Sequence, residues 1–180
     1  MYYSKLKTRL QSILLIGVFL LAMNAFSQDN PELSDAEIAH VVVVANQIDV
    51  DYGKLALKKN PDAAAKKFAN TMIQDHENII NQASALAEKL SVQPKDNAVS
   101  KSLLDQQKEV VKKLNSLKGE KFSTAYIDNE VEYHKAVIDA VKNLLIPQTE
   151  NEELKQALTD VMPLLEHHLE MAKTVQKNLD

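Results

Sequence analysis

A chain of 180 residues, 45% hydrophobic, without cysteine or tryptophan and with a formal net charge of −4, is bounded in several ways at once. It has no disulfide to rely on, and an acidic balance with no basic cluster argues against nucleic acid or anionic lipid as partners. Three glycines and no tryptophan leave an outer-membrane barrel without its turns and aromatic girdles.

Residues 1–27 read as a targeting segment. Lys5, Lys7 and Arg9 form a basic start, Ile13 to Ala22 an apolar run, and Ala25-Phe26-Ser27 a small-x-small cleavage site that puts the mature start at Gln28. The run is short of the roughly 20 residues that a membrane span needs, and no cysteine follows it to take a lipid anchor. Export to a bacterial periplasm or beyond is therefore expected, with no membrane span after signal removal. Loss of three cations and no acids takes the net charge from −4 to −7. In an oxidising compartment without cysteine, the mature chain must be held by its core, or by its core and a metal. The remaining length suits one domain burying about 70% of its unfolded surface.

Residues 28–33 form a polar lead-in, and the domain is expected over 34–180. Ser34 with Glu37 three residues on is a capping-box pattern. The first helix is predicted from about Asp35 to Lys59, with Ile38, Val41, Val42, Ala45, Ile48, Tyr52, Leu55 and Ala56 on one stripe. Val41 to Val44 alone could be a strand, but helical spacing continues for four turns beyond it. Asn60-Pro61-Asp62 stops this helix and starts the next. That second helix spans roughly Asp62 to Leu90, with His76 on the line of Phe68, Met72 and Ile79. Ser91 to Asn97 is a loop.

A more polar helix follows, from about Ala98 to Leu117, with Gly119 as its C-terminal stop. Phe122 to Leu145 is the fourth helix, closed by Pro147, and its stripe contains Glu130 and His134 one turn apart. The last helix starts near Glu150 and carries Leu154, Ala157, Leu158, Val161, Leu165 and Ala172, with His168 on that line and Pro163 inside it. No strand candidate survives. The expected fold is all-α: a four-helix bundle of two antiparallel hairpins joined by a long crossover with an extra helix, the ferritin-like variant.

The helix rise of about 1.5 Å per residue puts His76 and His134 roughly 20 Å from a bundle end, with His168 near the level of Glu130. Asp49, on the first helix, is at comparable depth. Buried imidazoles and carboxylates must be paired, neutralised or metal-bound. The candidate metal ligands are His76, His134, His168, Glu130, Asp49 and Asp75, a set suited to Zn, Fe, Mn or Cu. Asp75, Glu77 and Glu166 are also candidates to accept hydrogen bonds from the backs of the imidazoles. His167 points about 100° away from His168, and His40 is expected at the surface. The familiar di-iron pattern needs Glu-x-x-His on two helices, yet Ile73, Val131 and Leu165 stand three residues before the histidines. Nothing resembles a nucleophile with its base or a phosphate loop, and no catalytic residue is assigned.

The stretches Asp49-Val-Asp-Tyr-Gly-Lys-Leu-Ala56, Phe68-Ala-Asn-Thr-Met-Ile-Gln-Asp-His76, Phe122-Ser-Thr-Ala-Tyr126 through His134, and Met162-Pro163-Leu164 with His168-Leu169 carry a resemblance. In order and spacing they resemble the exported bacterial domain-of-unknown-function family 4142, over about residues 34–178. Its members are often labelled as outer-membrane proteins and assigned a ferritin-like fold, which the resemblance implies here, with no established activity. This chain departs from the family pattern in having aspartate at 49 and 51 for glutamate, Ser123 for aspartate and Met162 for leucine. The leading expectation is a non-enzymatic envelope protein binding one transition metal between helices. The competing one is a metal-free structural or partner-binding bundle, with an exposed apolar patch at Leu103 to Leu117.

Overall fold

The computed structural model describes residues 31–179, so the targeting segment and the first half of the lead-in lie outside the described residues. Five long helices account for most of the chain: α1 (Asp35–Lys59), α2 (Ala63–Lys89), α3 (Ala98–Asn115), α4 (Gly119–Ala140) and α5 (Glu152–Leu179). There is no strand among the described residues.

Local chemistry sets the ends. The Ser34 N–H donates to the Glu37 carboxylate at 3.0 Å and the Ser34 hydroxyl oxygen faces the Glu37 N–H, the two halves of a capping box, and the hydroxyl also donates to that carboxylate at 2.7 Å. Asn60 closes α1 in the left-handed region at φ 51°, which asparagine tolerates better than most residues. Two residues later the Asp62 carboxylate accepts from the Ala64 N–H at 2.7 Å and opens α2. Asn97 and Ser100 cap α3 reciprocally, the Ser100 N–H reaching Asn97 at 3.0 Å.

Cross-links between helices give the path of the chain. After α2, the loop is pinned to the start of α1, where the Lys95 N–H donates to the Ala36 carbonyl at 2.9 Å and the Asn97 amide to the Glu37 carbonyl. From there α3 runs alongside α1 in the same direction. Gln107 donates to Asp51 at 2.9 Å and Lys59 to the Asn115 carbonyl at 2.7 Å. That carries the chain back to the α1–α2 turn, where the Ser123 hydroxyl accepts the Asp62 N–H at 2.8 Å. α4 then runs antiparallel to α1, and α5 returns antiparallel to α4, its start held by the Asp35 carboxylate on the Glu150 and Asn151 N–H groups. The result is two antiparallel hairpins joined by one long crossover that contains α3.

The core forms between α1, α2, α4 and α5. Its middle and the α1–α2 turn end hold Ile48, Tyr52, Phe68, Met72, Phe122, Tyr126 and Ile127, all under 3% exposed. The far end is closed by Leu33, Ile38, Val41, Val141, Leu145, Leu154 and Leu158. Because α2 and α3 pack on α1 to either side of its core stripe, burial on α1 extends beyond that stripe to Ala39, Val44 and Val50.

Several boundaries depart from the sequence expectation. α3 stops at Asn115 rather than Leu117, and Gly119, at φ +56°, begins α4 instead of ending α3. α4 does not continue as a regular helix to Leu145. A π-helical turn occupies Val141–Leu145 and a helical turn Ile146–Gln148 follows it. The widening falls just ahead of Pro147, which has no N–H to give to the carbonyl four residues back. α5 runs through Pro163 without a break. Ala157 is exposed, and His40 is half-buried rather than on the surface. The apolar patch expected on α3 shrinks to Leu104 (38% exposed), because Leu103, Val110, Val111 and Leu117 are half-buried against the core.

Candidate metal centre

Four helices each contribute a buried polar residue to one place in the core. Asp49 comes from α1, His76 from α2, Glu130 and His134 from α4, and His168 from α5; all five are 3% exposed or less. The imidazole centroids lie 5.8 Å (His76–His134), 5.1 Å (His76–His168) and 5.6 Å (His134–His168) apart. Candidate ligand atoms of His76, His134 and His168 lie within 4.8 Å of one another, and so do those of Asp49, Glu130 and His134.

Each imidazole is held from behind by an oxygen that can only accept. His76 Nδ1 donates to Asn46 Oδ1 at 2.7 Å, and that amide is oriented because its own Nδ2 donates to the Val42 carbonyl at 2.7 Å. His134 Nδ1 donates to the Glu130 main-chain carbonyl at 2.9 Å. The Glu130 carboxylate is farther from that nitrogen, at 3.6 Å, so the carbonyl holds the proton. His168 Nε2 donates to Asp75 Oδ2 at 2.9 Å. These bonds fix the tautomers, since a ring nitrogen facing an acceptor must carry the hydrogen. His76 Nε2, His134 Nε2 and His168 Nδ1 are left as bare lone pairs, buried and without a hydrogen-bond partner among the described residues. Both oxygens of Asp49 and of Glu130 are in the same state.

Asp49 Oδ2 stands 3.3 Å from His76 Nε2 and 3.5 Å from His134 Nε2, a close approach that makes no hydrogen bond. With metal–ligand bonds of about 2.0–2.1 Å, neighbouring donors on a tetrahedral ion are about 3.3–3.4 Å apart. The spacing is that of ligands sharing an ion.

The electrostatics point the same way. No Lys or Arg is buried among the described residues, so two carboxylates share a low-dielectric interior with no fixed cation. Burial pushes the Glu130 carboxyl well above its ordinary range, and the neighbouring Asp49 charge adds to it. Burial also lowers His76, although Asp49 acts against the shift. His168 is held down to about 4, again mainly by burial, despite its bond to Asp75. These two imidazoles are therefore neutral ligands at pH 7, and as neutral groups they cannot balance the carboxylates.

Of the six residues expected from sequence, five meet in this cluster. Asp75 lies behind His168 with 28% of its side chain exposed, so it orients an imidazole and does not face the cluster. Glu77 and Glu166, expected as further acceptors, sit on the surface, with Glu77 paired to Lys54 at 2.8 Å. Asp51 is drawn away by Gln47 and Gln107. Sequence reasoning missed Asn46, three residues before Asp49 on α1. The first of two amides between Ala45 and Ile48, it offered no signal beyond its nearness to Asp49.

No curated protein and no solved structure matches this chain. A family profile, described as a domain of unknown function (DUF4142), matches residues 21–175, which include every residue of the cluster. The chain belongs to that family.

Proposed function

We propose that this protein is an exported helical bundle that binds one divalent transition metal at the meeting point of α1, α2, α4 and α5. His76 Nε2, His134 Nε2, His168 Nδ1 and Asp49 Oδ2 hold the ion, Glu130 supplies a second negative charge beside it, and Asn46 and Asp75 fix imidazole tautomers. One observation carries the reading: all three buried imidazoles give their N–H to an acceptor behind them and turn a bare nitrogen inward. A metal-free polar layer would instead strand three lone pairs and two carboxylates, each at about 1–3 kcal/mol.

Two carboxylates and neutral imidazoles favour a 2+ ion, and this nitrogen–oxygen set suits Zn, Fe, Mn or Cu(II). The role is binding rather than catalysis. Elemental analysis of untagged protein, wild type against His134→Ala, tests it. About one metal per chain is expected in the wild type and none in the variant, and absence of stoichiometric metal from both would sink the reading. Export is tested by N-terminal sequencing of the mature protein, which should begin at Gln28.

A further inference from the structure

The four ligand atoms above do not use up the buried polar groups around them. Four more remain, from α1 and α4: Asp49 Oδ1, Glu130 Oε1, Glu130 Oε2 and the Tyr126 hydroxyl. All four are shielded from solvent and have no hydrogen-bond partner among the described residues. Tyr126 is wholly buried and stands one helical turn before Glu130 on the same face of α4. Its ring packs edge-on against Phe68 at 6.2 Å, and Phe68 packs edge-on against His134 at 6.4 Å, so the phenol belongs to the wall of the cluster. A phenol is an O–H donor at neutral pH.

Asp49 and Glu130 thus offer carboxylate oxygens in one group with His134, within 4.8 Å of one another, and Tyr126 adds an O–H donor from the same face of α4 as Glu130. A ligand able to accept from the phenol and donate to a carboxylate satisfies both kinds of group at once, which a water or hydroxide does. Resting on the metal reading above, we infer that the ion keeps an exchangeable fifth position on the Glu130–Tyr126 side, binding water or hydroxide and replaceable by a small anion. The exchange is a substitution: the anion's lone pair replaces the oxygen's on the metal, water leaves, and no oxidation state changes. Tyr126 acts as a positioning residue that donates to whichever ligand is present.

The test uses Co(II) as a spectroscopic probe and azide as the anion. Untagged protein loaded with cobalt should take up one equivalent, and azide should shift its visible bands with a saturable curve. Tyr126→Phe should keep the one-to-one cobalt and weaken azide roughly 3- to 10-fold, the worth of one hydrogen bond. Bands that ignore azide in a one-to-one cobalt protein would overturn the fifth position while leaving the metal site standing. Two cobalts per chain would also overturn it, because Glu130 and Tyr126 would then serve a second ion. Azide binding that is unchanged in Tyr126→Phe would remove the role given to the phenol. Failure to take up any cobalt would defeat the metal reading itself.

Discussion

His76 and His168 are bases whose folded-state pKa is depressed, and Glu130 is an acid whose folded-state pKa is raised. The two kinds of shift make the stability of the metal-free protein respond to pH in opposite directions. An unfolded imidazole takes its proton near pH 6.5, whereas His168 in the fold resists until about 4. The fold is therefore unpenalised by His168 above 6.5 and loses stability as pH falls from 6.5 toward 4. Urea midpoints of chelator-treated protein should drop through that window, with His168 responsible for roughly 3 kcal/mol, and His168→Gln should flatten the slope. Glu130 works the other way. Below pH 4.5 its protonated form suits the core, and stability is lost as pH rises toward its raised folded value. Glu130→Gln should then make the metal-free protein more stable than wild type at pH 8, by about 1–3 kcal/mol, and should reduce the stabilisation that added metal gives. Equilibrium denaturation with and without metal checks both effects. Of these residue-scale features, the alignment of the histidines was legible from helical spacing alone, whereas the direction of each ring was not.

At the scale of the element, the contact between α1 and α2 depends on a glycine. A Cβ on Gly53 would come within 2.8 Å of Ile73 Cγ1 and 3.1 Å of the Ala69 carbonyl, distances that force the two helices apart. Gly53→Ala should cost about 1–3 kcal/mol by overpacking. Because Gly53 is one turn beyond Asp49 and Ile73 is three residues before His76, the same change should also weaken metal binding. Gly119→Ala serves as the contrast, since nothing lies within 4 Å of its Cβ position and only the positive φ is penalised. Its cost should be about 1 kcal/mol, with metal content unchanged. Chemical denaturation and elemental analysis of the two variants separate packing from backbone strain. Caps and stops such as Ser34 and Asn60-Pro61-Asp62 could be read in advance because their hydrogen bonds are local. The π-helical turn at Val141–Leu145 could not, since periodicity alone does not reveal an extra residue in a turn.

At the scale of the molecule, a single ion would bridge α1, α2, α4 and α5, two from each hairpin. Such an ion binds the folded chain only, so metal in excess should stabilise it by mass action, about 2.7 kcal/mol at a free concentration 100 times the Kd. Scanning calorimetry should show Tm rising with added metal and falling again in chelator, and His134→Ala should lose that response. A bundle with a metal-free polar layer would give the same Tm under all three conditions. No helix among the described residues is long and apolar enough to cross a membrane.

The sequence by itself determined that the chain is all-helical, that two hairpins flank a crossover, and that three histidines, Asp49 and Glu130 fall at similar depth. Those properties follow from periodicity and capping, which are written within one or two turns of a helix. Only the tertiary structure decided that Asp75 backs an imidazole and does not face the cluster, that Asn46 orients His76, and that Tyr126 packs through Phe68 against His134. These assignments depend on which acceptor a neighbouring helix offers to each ring. That is set by the rotation and height of whole helices against one another, and no local stretch of sequence records it.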